Sequence, residues 1–144
     1  MATQIHPTAV VEPCAELGEG VEVLPPQQRI DETWYKGTAD AIYQNIYSLE
    51  REQAEHVLIL AGDHIYKMDY GHMIRAHVER KADVTIGCIP VPLDEVRHFG
   101  VMQTAADDRV VNFLEKPKTA PPMPGDAHHA LGSMGIYVFK TRLL

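Results

Sequence analysis

The sequence has few of the features that would send a chain outside the ordinary run of globular proteins. Only two cysteines occur in 144 residues, Cys14 and Cys88. They lie far apart and without metal-ligand spacing, so two free thiols in a reducing, cytoplasmic compartment are expected. No run approaches the roughly 18 apolar residues a membrane span requires. The start, Met1-Ala-Thr-Gln-Ile-His-Pro7, has neither the basic residues nor the apolar stretch of a signal peptide. Positive charge is also short: 13 Lys and Arg against 20 Asp and Glu give a formal charge of −7. That balance lacks the field that draws in nucleic acid or anionic lipid, and it disfavours both as partners. No glycine-rich phosphate loop of Walker or dinucleotide type is present. What remains, 45% hydrophobic and 23% charged residues, suits a soluble domain with one core.

The chain changes character near Val23. Before it, Ile5, Val11, Leu17 and Val23 recur every six residues, and Ala9, Ala15 and Val21 each follow four residues behind one of them. Three such hexads make about one coil of a hexapeptide β-helix. Solenoid repeats draw stability from stacked neighbours, so this segment is expected to be either a short coil or an extended N-terminal arm. After Val23 helical and strand patterns alternate. Thr38 can cap a helix with Asp40 in its first turn, and Ala39, Ile42, Ile46 and Leu49 share one face. Val57 to Ala61 reads as a strand buried on both faces of a parallel sheet. Gly62 to Tyr66 follows as a loop, and Asp69 then caps a helix with Tyr70, Met73, Ile74, His77 and Val78 on its apolar face. Asp83 to Ile89 reads as a strand, Gly100–Thr104 and Arg109–Leu114 as a hairpin, Lys118 to His129 as a proline-rich loop, and Ser133 to Phe139 as a closing strand. This alternation implies an α/β fold with helices packed on a sheet.

In open α/β sheets ligands lie beyond the carboxyl ends of the strands. Asp63 sits there, two residues past an apolar strand. It either begins a turn or holds Mg²⁺ against a phosphate, a hard-oxygen role that a single carboxylate plus phosphate oxygens can fill. Lys116, at a strand end and fixed by Pro117, is either a solvated lysine or a point charge for a phosphate. Gly132-Ser133-Met134-Gly135 departs from the Gly-x-Ser-x-Gly spacing of a nucleophile elbow, so a serine that hydrogen-bonds a sugar fits better than one that attacks a carbonyl. The eight histidines show no metal-ligand spacing, and His77 reads as a partly buried helix-face residue.

Six blocks together resemble bacterial glucose-1-phosphate adenylyltransferase. They are Leu24-Pro-Pro-Gln-Gln-Arg29, Trp34-Tyr-Lys-Gly-Thr-Ala-Asp-Ala41, Ile59-Leu-Ala-Gly-Asp-His-Ile-Tyr-Lys67, Phe99-Gly-Val-Met102, Phe113-Leu-Glu-Lys-Pro117 and Ser133-Met-Gly-Ile-Tyr-Val-Phe139. Their order and spacing follow the family across residues 21–144, while residues 1–22 resemble the hexapeptide start of acyltransferases that act on UDP-N-acetylglucosamine. The resemblance implies a partial Rossmann-like (GT-A-like) nucleotidyltransferase domain over 23–144 behind a hexapeptide-like segment, 1–22. It also implies the reaction of ATP with α-D-glucose 1-phosphate to give ADP-glucose and diphosphate, with Mg²⁺ as cofactor and ATP as co-substrate, in glycogen synthesis. Asp63 then corresponds to the metal-binding catalytic aspartate, and Lys116, supported by Glu115, to the lysine on the sugar phosphate. Tyr35, Gly100, Ser133 and Tyr137 correspond to the sugar-phosphate pocket, and Gln27, Gln28, Gly37 and Thr38 lie beside the nucleotide. Intact relatives are homo-oligomers.

The resemblance leaves gaps. The family's opening glycine-rich, arginine-containing nucleotide loop has no counterpart, and its second metal-binding aspartate and C-terminal β-helix fall beyond Leu144. Two other readings stay open: a non-catalytic sugar-phosphate-binding module, and an acyltransferase-like β-helix, which would need further hexads after Val23. Little or no diphosphate release is expected when the chain alone is given ATP, Mg²⁺ and glucose 1-phosphate; robust release would contradict this.

Overall fold

A computed structural model describes residues 2–7, 9, 11, 13–24, 35–62 and 67–144. The chain divides into two compact units, Met1–Gln53 and Ala54–Leu144.

In the first unit, β1 (Gln4–Ile5) and β2 (Glu22–Val23) pair in parallel, with Gln4 opposite Glu22 and Ile5 opposite Val23. Partners therefore stand three hexads apart, so the sixfold pattern closes one coil rather than trailing as an arm. The coil is tied by Gln4 N–H to the Val21 carbonyl (2.8 Å), His6 N–H to the Val23 carbonyl (2.9 Å), and Thr3 Oγ1 to the Gly18 carbonyl (2.7 Å). Ile5, Leu17 and Val21 remain substantially exposed, as befits a coil whose strands have only each other among the described residues.

The expected helix of this unit is in fact two, α1 (Thr38–Gln44) and α2 (Ile46–Arg51). Asn45 interrupts it: its side-chain amide donates to the Ala41 carbonyl (2.8 Å) and to Tyr35 Oη (3.2 Å), a local competition with the helix ladder that asparagine favours. Thr38 is not the cap. Gly37 holds that place and Thr38 is the first helical residue, with no side-chain cap bond. Asp40 does occupy the first turn, where it accepts from Lys36 N–H (2.8 Å) and Gln44 Nε2 (3.1 Å).

The second unit is a five-stranded sheet with, among the described residues, one α-helix, α3 (Tyr70–Glu79), and two short 3-10 turns. Its strands are β3 (His56–Ile59), β4 (Val84–Pro92), β5 (Gly100–Thr104), β6 (Val110–Glu115) and β7 (His129–Lys140). β7 is central. β4 runs antiparallel along one edge of it, while β3 and β5 pair with opposite ends of the other edge, and β6 flanks β5. The run Val57–Ala61 is thus not a parallel strand buried on both faces: β3 ends at Ile59, lies half-buried, and pairs antiparallel with β7. β3 and β4 do run in the same direction, but β7 is inserted between them. β4 also continues past Ile89 to Pro92; its second edge has no strand among the described residues, and proline, lacking a ladder donor, is tolerated there.

Helix α3 begins as expected. Asp69 accepts from Gly71 N–H (2.9 Å), and Met73 and His77 are buried, although Val78 is half exposed. Met73 packs with Ile136 and Val138 of β7, joined by Leu58, Tyr70, Ile74 and Met134. A second cluster, Val91, Val96, Val101 and Ala130, with Leu93, Phe99, Leu114 and Ala120 around it, lies under the β4–β7–β5 junction. Ile136 has no exposed surface. Truncating such a side chain removes transfer energy and leaves a cavity, so Ile136→Ala should lower unfolding free energy by about 3 kcal/mol in urea titrations; a change below about 0.5 kcal/mol would contradict this packing.

Candidate functional site

The register of the sheet sets the start of β5 and the end of β6 beside the interior of β7. Glu115 of β6 stands opposite Gly100 of β5, and Val101 stands opposite Gly132 of β7. One step on, the same antiparallel register brings Ser133 alongside Gly100, and Ser133 pairs with Cys88 of β4 on its other side. Glu115, Gly100 and Ser133 therefore form a row across the sheet, with Lys116 immediately beyond it. Residues from three separate sequence blocks meet because the strands carrying them are neighbours.

Lys116 is held in an unusual backbone posture. Its φ of 43° lies in the left-handed region, which a residue with a Cβ visits at some cost, and Pro117 restricts it further. The Phe99 carbonyl anchors the turn by accepting Lys116 N–H at 3.1 Å. Backbone strain of this kind persists only where the surroundings fix it, and it concentrates at functional positions. The Lys116 ammonium is exposed and only loosely paired with Glu115 (Nζ to Oε1 3.9 Å). So open a pair contributes little to stability, which leaves the cation available to an incoming anion.

Phe99, which opens the Phe99-Gly-Val-Met102 block, ties the turn to the core. Its own N–H donates to the Val96 carbonyl (3.1 Å), its side chain packs against the Val91–Val96–Val101–Ala130 cluster, and its carbonyl holds Lys116. It also borders Gly132: a Cβ there would stand 3.4 Å from the Phe99 ring and 2.9 Å from Val91 Cγ1. Gly100 is constrained in the same way, since a Cβ would stand 2.7 Å from the Phe113 ring and 3.3 Å from the Glu115 carboxylate. The two glycines let side chains close against the backbone on opposite faces of the sheet, Val91 and Phe99 over Gly132, Phe113 and Glu115 over Gly100.

Ser133 is shaped by an irregularity in β7. Gly87 pairs with Ile136 while Cys88 pairs with Ser133, so β7 carries extra residues at Met134 and Gly135, and Gly135 turns through a φ of 70°. On a regular strand residues four apart are about 13 Å distant. Here the bulge brings Ser133 Oγ to 3.4 Å from Tyr137 Oη, and Ser133 Oγ also accepts Gly135 N–H at 3.3 Å. Both contacts are long, so the hydroxyl keeps hydrogen-bonding capacity for a ligand. Beside it, burial pushes the Cys88 thiol up to about 11, which keeps it protonated and a poor nucleophile at neutral pH.

Of the candidate site residues, Gly100 pairs with Glu115, which Lys116 follows, and Ser133 meets Tyr137 on the neighbouring strand β7. Tyr35, Gly37 and Thr38 belong to the first unit, where Tyr35 Oη accepts from Asn45 and Gly37 caps α1. Asp63, Gln27 and Gln28 lie outside the described residues. Among the described residues no cluster of three His, Cys, Asp or Glu side chains could hold a metal ion, and no helix is long and apolar enough to cross a membrane.

The comparisons agree with this architecture. A nucleotidyl transferase family profile matches residues 1–144, and the chain belongs to that family. It is 58% identical over 127 residues to a glucose-1-phosphate adenylyltransferase of Dechloromonas aromatica, covering 88% of this chain and 29% of that protein. It is 59% identical over 129 residues to one of Methylobacillus flagellatus (90% and 30%) and 53% identical over 130 residues to one of Yersinia pseudotuberculosis (90% and 30%). The chain thus spans about three tenths of the length of these relatives. Among solved structures, HddC from Yersinia pseudotuberculosis superposes with a TM-score of 0.58 at 20% identity, over 85% of this chain and 45% of that one. That likeness supports the nucleotidyltransferase α/β fold, with its Rossmann-like mixed sheet.

Gly132→Ala tests how tightly the row is seated. Val91 is buried and stiff at χ1, so the added methyl should cost about 1–3 kcal/mol in urea unfolding. A neutral substitution would show that the site floor is looser than these distances imply.

Proposed function

We propose that this nucleotidyl transferase chain supplies the glucose 1-phosphate side of a glucose-1-phosphate adenylyltransferase. In that reaction a phosphate oxygen of α-D-glucose 1-phosphate attacks the α-phosphorus of ATP. An O–P bond forms, the bond to the β-phosphate oxygen breaks, and diphosphate leaves as ADP-glucose is made. Such transfers depend mainly on positioning and on neutralising charge. The observation that carries the reading is the β6–β5–β7 pairing that puts Glu115, Gly100 and Ser133 on adjacent strands, with Lys116 following Glu115: an exposed ammonium on a fixed backbone, and a hydroxyl with bonding capacity to spare two strands away.

In this reading Lys116 pairs with the sugar phosphate and steadies it for in-line attack. Ser133 Oγ bonds a sugar hydroxyl, and Tyr137 Oη limits the rotamers from which it does so. Gly100 leaves room for Phe113 and the Glu115 carboxylate to close against the backbone, and Glu115 stays within reach of the lysine. Asp63 would hold the divalent ion: a lone carboxylate with phosphate oxygens suits Mg²⁺, which supplies charge neutralisation on the nucleotide phosphates when bound. Tyr35 is assigned to the sugar-phosphate pocket, and Gln27, Gln28, Gly37 and Thr38 to the nucleotide, on their match to the family blocks. On the same basis residues 1–22 form a hexapeptide-like segment ahead of a partial catalytic domain, 23–144. The protein is assigned to the cytoplasm, and to a homo-oligomer in its full-length relatives.

Calorimetry with glucose 1-phosphate tests the assignment on the chain as it stands. Saturable binding is expected, weakened about tenfold or more in Lys116→Ala, the scale of losing one charge-assisted hydrogen bond. No binding by the wild-type chain, or equal binding by the variant, would overturn it.

A further inference from the structure

We propose that His77, together with His56, is an acid-sensitive latch that clamps helix α3 to the sheet at neutral pH and loosens it as the pH falls. The pair lies outside the row described above and takes no part in the proposed reaction. His77 has no exposed surface, although it sits in the last turn of an otherwise half-solvated helix. It faces three elements at once. From β4, Thr85 Oγ1 shares a hydrogen bond with its Nδ1 at 2.8 Å. From β3, the His56 ring meets it edge to face, with centroids 4.9 Å apart and an interplanar angle of 83°. From the end of β7, the Lys140 ammonium bears on it, and Asp83, which precedes β4, is the acidic group nearby. Asp83 is itself engaged by Lys140 (2.7 Å) and Arg142 (3.6 Å).

Two polar atoms in this contact, His56 Nδ1 and His77 Nε2, are buried without a hydrogen-bond partner. A neutral imidazole can leave one nitrogen unsatisfied at modest cost, whereas an imidazolium buried there has a charge to solvate and no acceptor for its proton. Protonating His77 would also place a cation against a second histidine and a lysine. Burial first, then His56, then Lys140 hold its pKa below the ordinary value, and Asp83 opposes them only in part.

The sign follows. The folded-state pKa lies below the unfolded one near 6.5, so the latch is fully closed above about 6.5. Its contribution is lost as the pH falls, because only the unfolded or undocked state can take up the proton.

Urea unfolding of the whole chain at pH 7.5, 6.5 and 5.5 tests this. In the wild type the unfolding equilibrium constant should rise over the acid step by up to about tenfold per pH unit, the limit for one uncompensated proton. His77→Gln, which cannot ionise, should remove most of that rise, whereas substituting the exposed His72 by Gln should retain it. Should His77→Gln fail to fold, amide exchange in the wild type decides: corrected for intrinsic rates, α3 should lose protection at pH 5.5 well before β5 and β6 do. A wild-type stability flat between pH 7.5 and 5.5, a variant as acid-sensitive as the wild type, or α3 protection that falls only in step with the hairpin would overturn the latch.

Discussion

Hydrogen bonding along β7 is the constraint from which the rest of the larger unit follows. This one strand pairs with β3, β4 and β5, and only β6 reaches the sheet without touching it. Its buried residues, Ala130, Ile136 and Val138, contribute to both hydrophobic clusters, so the strand that orders the ladder also orders the core. The bulge at Met134 and Gly135 interrupts that regularity at one place, and the interruption draws Ser133 and Tyr137 together. Pairing fixes which strand segments are neighbours, and the bulge decides what one of them presents.

The row of proposed ligand groups inherits its geometry from that pairing. Lys116 is far from Ser133 in sequence, and the residues beside each do not suffice to place it. The lysine is placed by a hydrogen bond to Phe99, Phe99 by its packing over Gly132, and Gly132 by its register with Val101. A left-handed lysine ahead of a proline is a costly local choice. It is stable here because the hairpin and the cluster beneath it leave the chain no easier path.

Local chemistry was legible in the sequence and pairing partners were not. The cap at Asp69, the hairpin around Ala106 to Asp108, the proline loop and the sixfold spacing of Ile5, Val11, Leu17 and Val23 all depend on residues close in sequence, and each appears in the structure. The strand at Val57 was readable as a strand, yet its neighbour was not, because an apolar run is equally at home beside a parallel or an antiparallel partner. Asn45 went unread as a helix break because its effect depends on Tyr35, ten residues earlier. His77 read as partly buried and is wholly so, through contacts with β3 and β4 that no periodicity encodes. The family blocks single out Lys116 and Ser133 as candidates, but the role of Phe99 is visible only once its carbonyl is seen against Lys116. Asp63, Gln27 and Gln28 fall outside the described residues.

The central claim is that the start of β5, the end of β6 and the bulged middle of β7 act together as one receptor for a hexose phosphate. Titrating the isotopically labelled chain with glucose 1-phosphate and following its backbone amides by NMR tests this most directly. The amides of Gly100, Lys116, Ser133 and Gly135 should shift together along one saturation curve, with glucose alone producing no such response. Shifts confined to Lys116 and matched by inorganic phosphate, or shifts scattered away from these positions, would contradict it.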